Sequence, residues 1–495
     1  MNGSIKSNLV FALYALFLGA FTGIVTFLFL KLMNLGIQFL WVDIPSHIDF
    51  AYYPIVICLI GGLLVGITKK IYGNLPPTLS VVLLEAKESK RIEYKNLPVI
   101  VLCAFLPLIF GGSIGPEAGL AGILGGLCTW IGDHVKASAK TIQALSEIGM
   151  AATLGTIFGS PFFGVAKTVE EEEEANSLFI QKVETKKFKS EFHDTNSNEK
   201  SMHKSEFGKS EPNHFESEKF EFEENFRQIL KEEESFVLPK KSKIYLYLIA
   251  AIAGFGTYFL LSHWFPLGGF YRYDSVSFGW NEILALVPLV LLGVFFAWIY
   301  SVFGYIIKII LRPLKNHKIL TAILGGLALG ILGMIFPYTL FSGEVQIGEM
   351  AANWMSLTAL TLLLIVLAKL FLTRFCIMSG WRGGQIFPAI FAGMTLGYAV
   401  SSIFPLEPAF CAAIVSVSLV TVILKKPAAT VILFVAFFPL GFLIPLTVAA
   451  LISGFIPFPK FLDKFEKEEI EEEYLERKQL AEMEKNKIQT QVPDV

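Results

Sequence analysis

Apolar stretches long enough to cross about 30 Å of hydrocarbon recur along this chain, so the bilayer is its main solvent and membrane-spanning helices are its main elements. Clear cases run from Leu9 to Leu30, Pro54 to Thr68, Lys243 to Leu261, Ile283 to Ile310 and Leu320 to Phe336, and several others are short or broken by Gly and Pro. With 54% hydrophobic and 17% charged residues the composition fits no ordinary soluble domain. The first stretch lacks a small-residue cleavage site and runs straight into further apolar sequence, so it reads as a retained helix rather than a signal peptide.

Charge placement says more than the net charge of -2, which argues neither for nucleic acid nor for another polyanion as a partner, and no nucleic acid is expected. Lys and Arg gather in Lys69–Lys95, Arg312–Lys318 and Arg374–Arg382, whereas the loops Asp43–Phe50 and Pro337–Gln346 have none. The positive-inside rule puts the first group in the cytoplasm of a multi-pass protein of the cell membrane. The five cysteines lie within or beside apolar segments at unrelated spacings, which gives no disulfide framework and no metal knuckle.

Four regions follow. Residues 1–169 form a first membrane half and 243–458 a second. Between them, 170–242 is dense in Glu, Lys, Ser and Asn, too polar to offset chain entropy by burial, and is expected to be a disordered cytoplasmic insert. Residues 459–495 are a charged cytoplasmic tail, expected to form a solvated helix over Asp463–Lys487.

The two membrane halves share a motif. Gly111-Gly112-Ser113-Ile114-Gly115-Pro116 and Gly383-Gly384-Gln385-Ile386-Phe387-Pro388 both read GGxIxP, and each opens a glycine-spotted apolar segment. Pro161, in Gly-Ser-Pro, and Pro427, in Lys-Lys-Pro, follow them at similar distances. Internal duplication of this kind is what inverted-repeat transporters leave in sequence. A proline in the first turn of a helix sacrifices no hydrogen bond, so the motifs start helices. Glycines just ahead leave backbone amides bare, and at membrane depth bare amides are tolerable only against protein, water or a ligand. Amides at the positive end of a helix dipole make an anion site without a fixed cation, which suits an ion that has to leave again. The candidate anion contacts are Ser113, Ile114 and Gly115 in the first motif and Gln385, Ile386 and Phe387 in the second. Gly73-Asn74-Leu75-Pro76-Pro77 is a third such turn, where Asn74 either offers its amide to an anion or belongs to an ordinary turn.

These residues resemble the chloride channel/transporter (CLC) family. Gly384–Pro388 is similar to its GxFxP motif with Ile386 where Phe is usual, Gly112–Pro116 to G(K/R)EGP, Gly73–Pro77 to GSGIP with Asn74 in place of the anion-coordinating Ser, and Pro161–Glu171 to a proline-led helix that ends in a Glu pair. The resemblance implies a CLC-like fold: an all-α polytopic inverted-repeat bundle of many tilted and broken helices. It also implies a homodimer with an anion path in each subunit and chloride or a similar small anion as substrate; no cofactor is expected.

Two departures shape the functional expectation. Ile114 stands at the place of the family's gating glutamate, the carboxylate that competes with the anion and carries a proton in the exchangers, and a hydrocarbon does neither. The family's anion-contacting Tyr has no clear match, Phe461 being the nearest aromatic. Passive, channel-like conduction is therefore expected. The alternatives are a proton-coupled antiporter that uses Glu117, or a carrier of another anion. Glu117 follows Pro116 and is either a helix-capping acid or a displaced gate or proton site. Glu171 matches by position the internal proton-relay glutamate, although it lies in the run Glu170–Glu174 and also reads as a solvated acid. Glu147 and Lys167 are expected to pair, Lys31 to snorkel, and Arg382 to hold its loop or draw in anions. No HExxH or GxSxG pattern occurs and the histidines lie in predicted loops or the insert, so an intramembrane enzyme is not expected.

Overall fold

The computed structural model describes residues 2–89, 91–94, 96–134, 139–170, 172–173, 240–267 and 271–491. Most of the polar insert lies outside these residues, and so does Glu171. The first half is built of α1 (Asn2–Gln38), α2 (Tyr53–Tyr72), α3 (Leu79–Ser89), α4 (Leu97–Ile109), α5 (Glu117–His134), α6 (Ala139–Ile157) and α7 over 161–170. The second is built of α8 (Lys240–Trp264), α9 (Trp280–Leu311), α10 (Lys318–Ile335), α11 (Glu344–Asn353), α12 (Ala359–Ser379), α13 (Ile386–Ser401), α14 (Pro408–Leu424), α15 (Pro427–Phe434) and α16 (Leu443–Phe455), and α17 (Lys460–Gln491) follows. The fold is thus an all-α polytopic bundle, as the apolar pattern requires.

Lengths sort the helices into two shells. Among the described residues six helices are long and apolar enough to cross a bilayer, the longest being Phe11–His47 and Trp280–Leu314. These turn Leu13, Phe17, Phe259, Leu284 and Phe295 outward, toward lipid. Shorter helices fill the interior: every residue of Ile386–Ala399 and Ala409–Val422 is buried. A helix apolar on all sides has its place in a core. Small residues four apart bring backbones together, as for Gly62 and Gly66 of α2 against α10, where a Cβ on Gly62 would lie 2.7 Å from Ala322 O and one on Gly66 2.7 Å from Ile319 Cα.

The repeat is visible in how the halves meet. Gly115 N donates to Gly384 O at 2.8 Å and Gly384 N to Gly115 O at 2.7 Å, an antiparallel bridge that joins the two GGxIxP motifs directly. The second proline pair meets as well. Pro427 opens α15, 161–170 is helical from its proline onward, Ser160 Oγ donates to Ile432 O at 3.4 Å, and Lys426 Nζ to Glu170 O at 3.2 Å.

The tail departs from expectation. It is helical, but α17 turns 93° from the Leu440–Phe455 segment and lays one face on the membrane domain, burying Leu462, Phe465 and Tyr474. Its glutamates find cations there, which a reading from net composition does not anticipate.

Candidate functional site

The first motif leaves α4 at Gly111, whose φ of +87° and contact with the Trp41 ring admit no side chain. Ile114 N then donates to Gly112 O at 2.8 Å, and Gly115 N is taken by the bridge to Gly384. Both amides are spent on backbone, which corrects the expectation that Ile114 and Gly115 present bare N–H groups. The Ser113 hydroxyl lies 3.3 Å from that of Thr373 on α12, and the Ile114 side chain is fully buried, a Cβ on Gly383 meeting its Cβ at 2.8 Å.

Residues 112–116 form a bend closed by the Gly115–Gly384 bridge, and α5 begins at Glu117 rather than at Ile114. Glu117 therefore stands at the very start of its helix. Its buried side chain reaches the other repeat, where Oε1 accepts the amide of Ile386, the first residue of α13, at 3.0 Å. Oε2 is buried with no hydrogen-bond partner. A carboxylate thus occupies the helix N-terminus that the second motif presents. Gly384 makes room for it, since a Cβ there or at Gly115 would collide with the Glu117 carboxyl.

Around this contact, Tyr300 of α9 donates its hydroxyl to Gln385 Oε1 at 2.6 Å, and the Phe387 ring stacks on Phe158 at 4.7 Å. Glu344, at the start of α11, is close enough for its charge to act on that of Glu117. The loop that delivers Glu344 is held by Lys369, fully buried in α12, whose Nζ donates to the carbonyls of Thr339, Leu340 and Phe341 at 3.2, 3.0 and 2.7 Å. An ammonium wrapped in carbonyls satisfies the demand that a buried charge be hydrogen-bonded.

The profile of the voltage gated chloride channel family matches residues 81–179 and 232–457, more than half of the chain. The chain belongs to that family. It is therefore an integral membrane protein of anion transport. The protein named "Putative ion-transport protein YfeO" of Salmonella schwarzengrund is 25% identical over 410 residues, covering 79% of this chain and 80% of that protein, and its namesake of Salmonella choleraesuis is 25% identical over 403 residues with the same coverage. Among solved structures, a CLC-type fluoride/proton antiporter superposes with a TM-score of 0.62 at 20% identity, over 90% of this chain and 95% of that one. A slow cyanobacterial Cl-/H+ antiporter superposes with a TM-score of 0.65 at 18% identity, over 90% and 93%. The fold is that of the CLC proteins.

The Asn74 side-chain amide, which the family pattern would offer to an anion, donates to Glu476 Oε2 of α17 at 2.7 Å. Phe461 is exposed and packs against Tyr305 with ring centroids 6.1 Å apart, so the aromatic hydroxyl beside the second motif is that of Tyr300 instead. Glu147 takes its hydrogen bonds from Lys243 at 3.2 Å, Tyr247 at 2.8 Å and Gln143 at 3.0 Å. Lys31 reaches the carbonyl of Pro266 at 3.2 Å. Sequence reasoning missed Tyr300, Glu344, Lys369 and the acids of α17. Of these only Lys369 carried a clear signal, as a lysine inside the apolar run Ala359–Ser379.

Proposed function

We propose that this protein exchanges a small anion such as chloride for protons, with Glu117 as the gate. The hydrogen bond from Ile386 N to Glu117 Oε1 carries this reading. An anion bound at the N-terminus of α13 would need the amide that Glu117 holds, so anion and carboxylate exclude each other. Protonation turns the carboxylate into a weaker acceptor and releases the amide, and loss of the proton lets it close again. One side chain that alternates between proton and seat on the anion site links the two movements.

Ile114 motivated passive conduction because it stands where the family's gating glutamate is sought by motif alignment. Glu117 supplies the same carboxylate three residues later, from a helix that starts three residues later than the alignment assumes. That two of the structurally similar proteins are named as proton antiporters agrees with coupling. By the family resemblance the working unit is a homodimer with one path per subunit, and the anion contacts are the amides of Ile386 and its neighbours Gln385 and Phe387.

Purified protein in liposomes tests this by chloride efflux recorded together with proton uptake. Wild type is expected to take up protons as chloride leaves, and Glu117→Gln to lose the proton movement while still passing chloride. Chloride efflux without proton uptake in wild type would sink the coupled reading and restore passive conduction. Parallel efflux assays with nitrate and fluoride rank the anions.

A further inference from the structure

We propose that Glu473 of α17 is a second, inner gate: its carboxylate sits where an anion would enter from the face that carries the lysines and arginines. This rests on reading the glycine-proline turns as an anion path. Glu473 Oε1 accepts the amide of Thr78 at 2.9 Å, just ahead of α3, while Oε2 takes Arg382 at 2.7 Å. Thr78 follows the Gly73–Pro77 turn and Arg382 precedes Gly383, so the carboxylate stands between the third glycine-proline turn and the second motif.

The donors around it form an anion site rather than a simple surface pair. The side chains of Arg382 and Glu473 are only 12% and 9% exposed. Arg382 Nε and Thr78 Oγ1 are buried with no hydrogen-bond partner, so the site has donors that one carboxylate does not use. A guanidinium beside a backbone amide recognises any small anion, and a carboxylate seated on both is a tethered stand-in. The desolvation cost of a buried pair largely offsets its Coulomb attraction, so a free anion that takes the same donors displaces it at little cost.

The rest of α17 is arranged to deliver that carboxylate. Glu466, Glu469, Glu473 and Glu476 are three, four and three residues apart and share one helix face. Glu466 meets Lys425 at 2.9 Å, Glu469 meets Arg374 at 3.2 Å, and Glu476 meets Lys318 at 3.6 Å as well as Asn74. Four carboxylates therefore cancel four cations on a face where positive charge would draw anions inward. On the flank, Arg477 meets Glu85 at 2.7 Å and Tyr474 meets Glu88, which fixes the register of the helix on α3. With α17 seated the inner mouth is neutral and occupied, and with α17 lifted it is basic and open.

The test uses the full chain in liposomes and in crystals grown with bromide. Glu473→Gln is expected to raise chloride efflux about fivefold by shifting α17 toward its lifted state. Glu468→Gln, on the exposed face of the same helix, is expected to leave efflux at the wild-type rate. Bromide anomalous scattering is expected beside Thr78 N and Arg382 in Glu473→Gln and absent there in wild type. Should the glutamine variant not fold, Glu473→Asp, which keeps the charge and shortens the reach, is expected to give a smaller rise in efflux and partial bromide occupancy. Bromide at the site without a rise in efflux overturns the gate, and no bromide overturns the site itself. If no variant passes any anion, the transport reading fails, and bromide occupancy still decides the inner site.

Discussion

The two GGxIxP motifs are alike in sequence and opposite in use. In the first, the amides of Ile114 and Gly115 are consumed by Gly112 O and Gly384 O, and the helix starts only at Glu117. In the second, the helix starts at Ile386, within the motif, and the Ile386 amide is handed to Glu117. One repeat thus supplies the acid and the other the amide. A duplicated pattern makes two helix starts. Under the proposed exchange, the residue that follows the proline, Glu117 in one and Ala389 in the other, makes one start the gate and the other the seat.

Substitutions that erase the difference should have the largest effect. Gly384→Val puts a branched side chain where the Glu117 carboxyl lies, so carboxylate and valine cannot both be accommodated. Chloride efflux is expected to fall at least about tenfold, a barrier change of about 1.4 kcal/mol, in protein that still elutes as a single species. Wild-type efflux in that variant would mean that the bridge between the motifs does not border the path.

Ile114 sharpens the same comparison from the other side. Its side chain is fully buried and packs on Gly383, so Ile114→Val is expected to cost about 1 kcal/mol of stability through lost packing. Proton uptake per chloride is expected to be unchanged. A changed ratio would return the gate position to Ile114.

The fold was legible because it follows from rules that act on stretches. Apolar length gave the spans, the second GGxIxP motif gave the helix start at α13, and the likeness of Pro161–Glu171 to a proline-led helix gave that at α7. The position of Glu117 was not legible, because it depends on a contact between residues far apart in sequence. Without the bridge from Gly115 to Gly384 a reader starts the helix at Ile114, which leaves Glu117 beside the path rather than at its end. The partner of Asn74 was illegible for a similar reason: Glu476 lies on a helix that composition alone assigns to solvent. Lys369 shows the reverse case, a residue whose exceptional place was readable from the apolar sequence around it but whose purpose, holding the loop before Glu344, was not.

The most direct measurement of the relation between Glu117 and the anion is chloride affinity by calorimetry from about pH 4 to about pH 8, a range that spans carboxyl titration from the ordinary to the strongly raised. If the carboxylate and chloride compete for the Ile386 amide, wild-type affinity weakens as pH rises and the charged form gains population. Binding is then accompanied by proton uptake, since the coupling is reciprocal. Glu117→Gln is expected to bind chloride more tightly than wild type at the upper end of the range, with affinity independent of pH. An affinity that does not vary with pH in wild type, or the same pH dependence retained in Glu117→Gln, would contradict Glu117 as the group that shares the seat of the anion.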